Sequence, residues 1–218
     1  FAIECSIVKV QASEMADLVV DGAVQVHGGN GFVQGNPAER AYRDARVNRI
    51  FEGTNEINRL LIAGVALRRA QKGTLPLAAA VEEVLAGLLG PTEAVPPVEQ
   101  ARRTVLMLAG LATQTLGGAL EQEQVLLASL ADLMIALFIM QSVVLRAPGA
   151  EATRVIVSEG MDTMERLGRQ VLARISRGDE LRTRLAWLRR LLKREPEDVF
   201  SLRARIAARL LEAGKYAI

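Results

Sequence analysis

The sequence predicts an all-α protein, and three observations carry that prediction. Half of the 218 residues are hydrophobic but only 4% are aromatic, with Leu, Ala and Arg prominent, a composition that packs helices through aliphatic side chains. Apolar residues recur at helical spacing from the first residues onward, and no stretch alternates apolar and polar side chains long enough to make a strand. Glycine and proline cluster at a few points and cut the chain into helix-length pieces. A chain of this length suits one or two domains.

Ile3, Ile7, Met15, Leu18, Gly22 and Val26 share a helical spacing, so a first helix runs from the start to about Val26. Gly28, Gly29, Gly31 and Gly35 break it. Asn36-Pro37 followed by Glu39 reads as N-cap, first and third helical positions, a capping-box-like start for a short helix to about Ala45 or Arg46. A connector through Phe51 leads to Glu52, and a long helix follows from about Thr54 to Gln71. Lys72-Gly73-Thr74 stops that helix, with Gly73 as the breaker. Pro76 opens another, to about Leu89, and Gly90-Pro91 and Pro96-Pro97 bracket a loop. Four or five further helices are expected, interrupted near Gly117-Gly118, Ala147-Pro148-Gly149, Gly178 and Glu195-Pro196.

Two stretches of this second region call for a choice. Val125 to Leu145 is long enough to span a bilayer. Asp132 lies near its centre, where an acidic residue costs roughly 2.5–3.5 kcal/mol on insertion scales. A helix buried on most sides of a bundle explains the same pattern without that cost, and is the reading adopted. The second stretch belongs to a basic C-terminal portion. From Arg166 onward the chain has 14 Lys and Arg against 6 Asp and Glu, whereas the residues before it carry 13 against 19. A solvated, Arg-rich helix face accounts for this. Within it, 181–194 sets Leu181, Leu185, Leu188 and Leu192 beside Arg182, Arg184, Arg189, Arg190, Lys193 and Arg194, with Trp187 among them. The pattern also suits peripheral contact with an anionic membrane.

The single Cys5 cannot form an internal disulfide and is expected to be a buried, inert thiol on an apolar helix face. No metal-ligand set, P-loop or nucleic-acid motif is present. A cytoplasmic location is expected, and membrane association through 181–194 is the alternative to a solvated or packed helix face.

The residues with chemical promise lie in Ile50-Phe-Glu-Gly-Thr-Asn-Glu-Ile-Asn-Arg59. Glu52 stands beside a glycine and apolar neighbours, just before a helix. Aliphatic and aromatic surroundings would desolvate its carboxylate, raise its pKa and make it a better base. Backbone N–H groups at the start of the next helix can hold a carbonyl oxygen or an anion. The arrangement suits removal of a proton alpha to a carbonyl. Taken alone, Glu52 is equally a glutamate interacting with a helix dipole, and Thr54 equally a plain N-cap. Gln25, Val26, His27, Gly28 and Gly29 end a helix in glycines that let backbone approach a pyrophosphate closely. Arg40, Arg43 and Asp44 read as a surface ion-pair set, with Glu39 and Arg43 four residues apart.

Several motifs together resemble the acyl-CoA dehydrogenase family. They are Phe1-Ala-Ile-Glu-Cys5, Ala12-Ser13-Glu14, Ala23-Val-Gln-Val-His-Gly-Gly-Asn-Gly-Phe32, Pro37-Ala-Glu-Arg40, Arg43-Asp44 and the Glu52 segment with its helix to about Ala70. They stand in the family order and cover about a third of the chain. From near Lys72 the chain resembles, by helical pattern and position, the extra helical domain of the very-long-chain type. The resemblance implies two regions. Residues 1–72 would be the C-terminal part of the dehydrogenase helical bundle, and 73–218 a second helical bundle. It implies that the chain is the C-terminal part of a longer enzyme whose other domains carry much of the flavin and acyl-chain site.

What the family does then becomes the expectation. Glu52 would take the alpha proton of an acyl-CoA thioester as FAD accepts the beta hydrogen as hydride, leaving a trans-2-enoyl-CoA. Gly53 would leave room for the substrate thioester. Gln25 to Gly29 would contact the flavin nucleotide of a neighbouring subunit, His27 through its backbone, and Thr54, Asn55 and Glu56 would contact flavin after the base. The implied partners are acyl-CoA, an electron-transfer flavoprotein and further copies of the chain in a homodimer or higher oligomer. The piece alone would be inactive. The alternative is a non-catalytic helical module for oligomerisation or membrane docking.

Overall fold

In the computed structural model, residues 1–90 and 94–215 are described; Pro91, at the start of the predicted interhelical loop, lies outside them. The all-α expectation holds: the described residues form ten α-helices and two short 3-10 turns, without a strand. The helices are α1 (Ala2–His27), α2 (Gly29–Phe32), α3 (Pro37–Arg46), α4 (Asn55–Gln71), α5 (Leu77–Gly87), α6 (Pro97–Leu116), α7 (Gln124–Arg146), α8 (Glu151–Ile175), α9 (Gly178–Leu191) and α10 (Val199–Ala213). The 3-10 turns are Val47–Arg49 and Gly117–Gln122. The chain divides into two units, Phe1–Gln71 and Lys72–Ile218.

In the first unit α1 packs against α3 and α4. Its small core is built from Ile7 and Val10 of α1, Ala38 and Ala45 of α3, and Ile62, Ala63, Ala66 and Leu67 of α4. The α3 start follows the predicted cap in part. The Asn36 side chain accepts from the Ala38 N–H at 2.9 Å, and Pro37 takes the first helical position, where no donor is needed. The reciprocal half of the capping box does not form. The Asn36 N–H goes to the Val33 carbonyl instead, and the Glu39 carboxylate is drawn to Arg43, one turn on. The glycine segment contains the short helix α2 rather than a plain break. At Gly31 a Cβ would meet His27 Cβ at 2.7 Å, so the chain can turn this close to α1 only without a side chain.

One expectation about α1 is corrected. Cys5 is exposed, not buried. The buried side of α1 is set by Ser6, Ile7, Val10 and Ser13, and Cys5 points away from it. Of the apolar residues at helical spacing on α1, Ile7 is buried within the unit, whereas Leu18 is 69% exposed.

The second unit is organised on α8, which packs against α6, α7, α9 and α10, while α5 packs on α6. The core includes Met107 and Leu108 of α6, Leu130, Leu133 and Met140 of α7, Met161, Met164 and Leu172 of α8, Leu188 of α9 and Leu202 of α10. Small residues permit this density. A Cβ on Gly160 would lie 2.5 Å from Met140 Sδ, and one on Gly168 would lie 2.9 Å from Leu188 Cδ1. Helix α7 is long and apolar enough to cross a membrane by length and composition. Here it packs against α6 and α8 and contributes seven buried residues from Leu126 to Met140.

The basic C-terminal portion finds its counter-charges within the unit. Arg194 pairs with Asp162, Arg203 with Glu159, and Arg205 and Arg209 with Glu151, all on α8. Arg174 meets Glu123, and Arg184 meets Glu180. In the 181–194 stretch Leu188 and Leu192 are buried, and Leu181, Leu185 and Trp187 are partly covered, so the apolar side of this stretch is turned toward its own unit.

Candidate active site

A polar stripe on α1 builds the site. Lys9, Ser13, Glu14 and Asp17 recur at helical spacing, and each meets a partner on or near α4. Lys9 Nζ donates to the Gly53 carbonyl at 2.8 Å and to Asn55 Oδ1 at 2.7 Å. Asn55 Nδ2 donates to Ser13 Oγ at 2.9 Å and to Glu14 Oε1 at 3.2 Å. The Arg59 guanidinium grips both Glu14 oxygens, at 2.7 and 2.9 Å. Arg49, in the turn before the Glu52 loop, reaches Asp17 at 2.6 Å. Asn55 is 1% exposed, so its amide could not be left without partners at low cost.

The loop carrying Glu52 is held from both sides. Asn58 Nδ2, one turn into α4, donates to the Gly53 carbonyl at 2.8 Å and to the Thr54 carbonyl at 3.1 Å. Thr54 Oγ1 accepts from the Ile57 N–H at 3.3 Å, the N-cap that starts α4. Gly53 sits at φ +82, where a side chain would be strained, and a Cβ there would press on Asn58 Nδ2 at 3.1 Å. Glu52 itself has φ 54, and is the one non-glycine residue with positive φ among the described residues. A side-chain-bearing residue held there costs about 1–3 kcal/mol and persists only where its surroundings impose it. The bonds to Gly53 do so: one is charge-assisted, at about 1.5–3 kcal/mol, and one neutral, at about 0.5–1.5 kcal/mol.

Electrostatics stiffen the stripe. Burial pushes the Glu14 carboxyl up, but the hydrogen bond and charge of Arg59, with Asn55 and Arg49, outweigh it and hold the group below its ordinary value. The Glu56 carboxyl is also lowered, first by its own backbone N–H and then by the Thr54 hydroxyl.

The sequence-predicted residues fall into two groups. Glu52, Gly53, Thr54, Asn55 and Glu56 form one continuous turn and helix start. Gln25, Val26, His27, Gly28 and Gly29 lie at the far end of α1. Asn55 meets α1 at Ser13 and Glu14, and Gln25 lies 11 positions beyond Glu14, so the two groups stand roughly 17 Å apart along the helix axis. The structure does not join them in one pocket. Gln25 to Gly29 are all exposed, Gly28 has φ +60, and no atom lies within 4 Å of where a Cβ on Gly28 or Gly29 would be.

Two expectations are revised here. Glu52 is exposed, with Ile50 and Phe51 53% and 48% exposed, so this chain does not itself enclose the carboxylate in an apolar setting. The Asn55 side chain is committed to Lys9, Ser13 and Glu14 and the residue is buried, so in this chain it supports the turn rather than offering a surface to a ligand. Lys9, Asn58 and the Glu14–Arg59 pair escaped the sequence reading. Their signal was present as a polar run at helical spacing on an apolar helix, matched by Asn55, Asn58 and Arg59 on the next long one.

Comparison with known proteins agrees with this architecture. Residues 2–67 and, separately, 100–190 match two families that share the description acyl-CoA dehydrogenase, C-terminal domain. A probable acyl-CoA dehydrogenase of Bacillus subtilis is 40% identical across the whole chain. The human short-chain specific acyl-CoA dehydrogenase, a mitochondrial protein, is 52% identical over 68 residues, 31% of this chain and 16% of that relative. The crystal structure of an acyl-CoA dehydrogenase complexed with FAD from Bacillus anthracis superposes over the whole chain with a TM-score of 0.91 at 39% identity. The chain spans 41% of the length of each Bacillus protein. The chain belongs to the acyl-CoA dehydrogenase family and corresponds to its C-terminal region.

Proposed function

We propose that this chain works as the C-terminal part of a longer FAD-dependent enzyme that removes hydrogen from the alpha and beta carbons of an acyl-CoA thioester. The observation that carries the reading is Glu52, a lone carboxylate in a left-handed turn, pinned at the next residue by donors from two helices. Glu52 takes the alpha proton. Among the described residues, the Glu52 and Gly53 N–H groups donate to no acceptor within the chain, which leaves them for the thioester oxygen as enolate charge develops. Gly53 keeps the approach free of a side chain.

The residues present fit a flavin dinucleotide. Gln25 to Gly29 offer exposed backbone with two uncrowded glycines, suited to a pyrophosphate, and Thr54 and Glu56 stand at the helix start beside the base. FAD, when bound, supplies the acceptor for the beta hydrogen. Because the glycine group lies at the far end of α1 from Lys9, which holds the Glu52 turn, the two would serve different flavins in an assembly of more than one copy. An electron-transfer flavoprotein is the proposed acceptor of the electrons. The acyl group is proposed to be long, on the strength of the second helical unit.

In isolation the chain is proposed to be inactive, since Glu52 stands open to water here. The decisive experiment replaces Glu52→Gln in the longer enzyme and follows enoyl-CoA formation with an artificial electron acceptor. Activity should fall on the order of 10²–10⁴-fold with flavin content unchanged. Full activity in that variant would place the base elsewhere.

A further inference from the structure

We propose that Lys9 is a positioning residue for the proton abstraction, acting through the Gly53 carbonyl to aim Glu52. The proposal rests on the reading of Glu52 as the base. Lys9 lies 44 residues from Gly53, on another helix, and its bonds go to the Gly53 carbonyl and the Asn55 side chain, not to the Glu52 carboxylate.

The argument starts from the carbonyl. Gly53 O accepts from Lys9 Nζ at 2.8 Å and from Asn58 Nδ2 at 2.8 Å. A carbonyl oxygen has two lone pairs, so both are used. One donor comes from α1 and the other from α4, and together they fix the plane of the Gly53–Thr54 peptide. Glu52 and Gly53 are both left-handed, at φ 54 and φ 82. An unrestrained glutamate would leave that region, and the carboxylate would then point elsewhere. The direction of the base is therefore set by the peptide that Lys9 and Asn58 hold.

Lys9 is in turn prevented from wandering. Its ammonium also donates to Asn55 Oδ1 at 2.7 Å, and Asn55 is 1% exposed and tied to Ser13 and Glu14. A lysine on an open surface would keep its rotamer freedom. This one is held by a buried amide whose other contacts are satisfied, which is how a flexible side chain becomes a fixed strut. Removing it leaves Gly53 with one donor, Asn58, on the same element as the turn, and loses the reference to α1.

The test uses the longer enzyme with Lys9→Met, which keeps an unbranched side chain and removes the donor, and Asn58→Asp, which sets an anion against the Gly53 carbonyl. Misplacing a reacting group by about 1 Å can cost up to about 10²-fold, so kcat should fall between about 10- and 100-fold in each variant. KM for acyl-CoA and flavin content should hold. The isotope effect on kcat with substrate deuterated at the alpha carbon should rise, because proton removal becomes slower relative to the other steps. A loss of fold alone would not produce that rise.

Wild-type kcat in both variants would overturn the proposal. So would a fall in kcat matched by equal losses of flavin and thermal midpoint, since the strut would then be a folding element. Glu52→Gln, run in parallel, separates the two readings. If it is inactive while Lys9→Met has wild-type kcat, the strut fails and the base stands. If Glu52→Gln is itself active, the base reading fails, and the strut with it.

Discussion

Replacing Gly53 by alanine isolates the turn from everything else in the chain. The backbone there has φ +82, and a Cβ would approach Asn58 Nδ2 at 3.1 Å. The left-handed conformation costs a residue with a side chain about 1–2 kcal/mol. If Asn58 gives way, its bond to the Gly53 carbonyl goes too, for a further 0.5–1.5 kcal/mol or about that. Gly53→Ala should therefore destabilise the first unit by about 1.5–3.5 kcal/mol, the sum of those two effects. Gly29→Ala is the internal control. Gly29 is helical without a positive φ, and nothing lies within 4 Å of the added carbon, so stability should change by less than about 0.5 kcal/mol. Urea denaturation of the purified chain, followed by far-UV circular dichroism and fitted for two transitions, measures both. Equal stability of the two variants would show that the turn tolerates a side chain, and the account of Glu52 as a held residue would fall with it.

Two further outcomes are expected. The Glu14 carboxyl is depressed in the folded chain, so its contribution is fully present above its ordinary value of 4.5 and is lost as pH falls through the lowered folded value. Glu14→Gln should thus be less stable than the parent at neutral pH and converge with it in acid; a gap that persisted in acid would contradict the pairing with Arg59. In the second unit, Leu202 is 1% exposed and is the one fully buried side chain of α10, so Leu202→Ala should cost about 2–5 kcal/mol in local stability. Hydrogen exchange should quicken across Val199–Ala213 and stay slow in α8; uniform quickening would refute a local effect.

The helices were legible because their ends carry chemistry. Asn36-Pro37 gave the start of α3, Thr54 the start of α4 and Gly73 the stop after it, each through a backbone preference that local sequence reveals. The place of Glu52 was legible through its motif. Its conformation was not, since φ 54 at a glutamate arises from bonds to the following residue made by Lys9, 44 positions away from it, and by Asn58. Cys5 was misplaced because an apolar neighbourhood in sequence does not say which side of a helix its neighbours will cover. The basic C-terminal portion looked uncompensated for a related reason. A count along the chain put Glu151, Glu159 and Asp162 on the other side of the divide, while packing of α10 and of the segment around Arg194 against α8 brings them beside the arginines.

That arrangement around α8 gives the second unit the logic of a hub with spokes. Damage to a spoke stays where it occurs. Helix α10 is fastened by ion pairs at the surface and a single deep leucine, so it can detach and return while the hub keeps its other neighbours. Damage to the hub spreads. A substitution at Gly160 or Gly168 would push at once on α7 or α9, because Met140 and Leu188 already fill the space. Sequence change in this unit should therefore be tolerated unevenly, freely along the outer faces of the spokes and hardly at all along the small-residue face of α8. A library of random substitutions scored only for soluble expression would trace that face without any assay of activity.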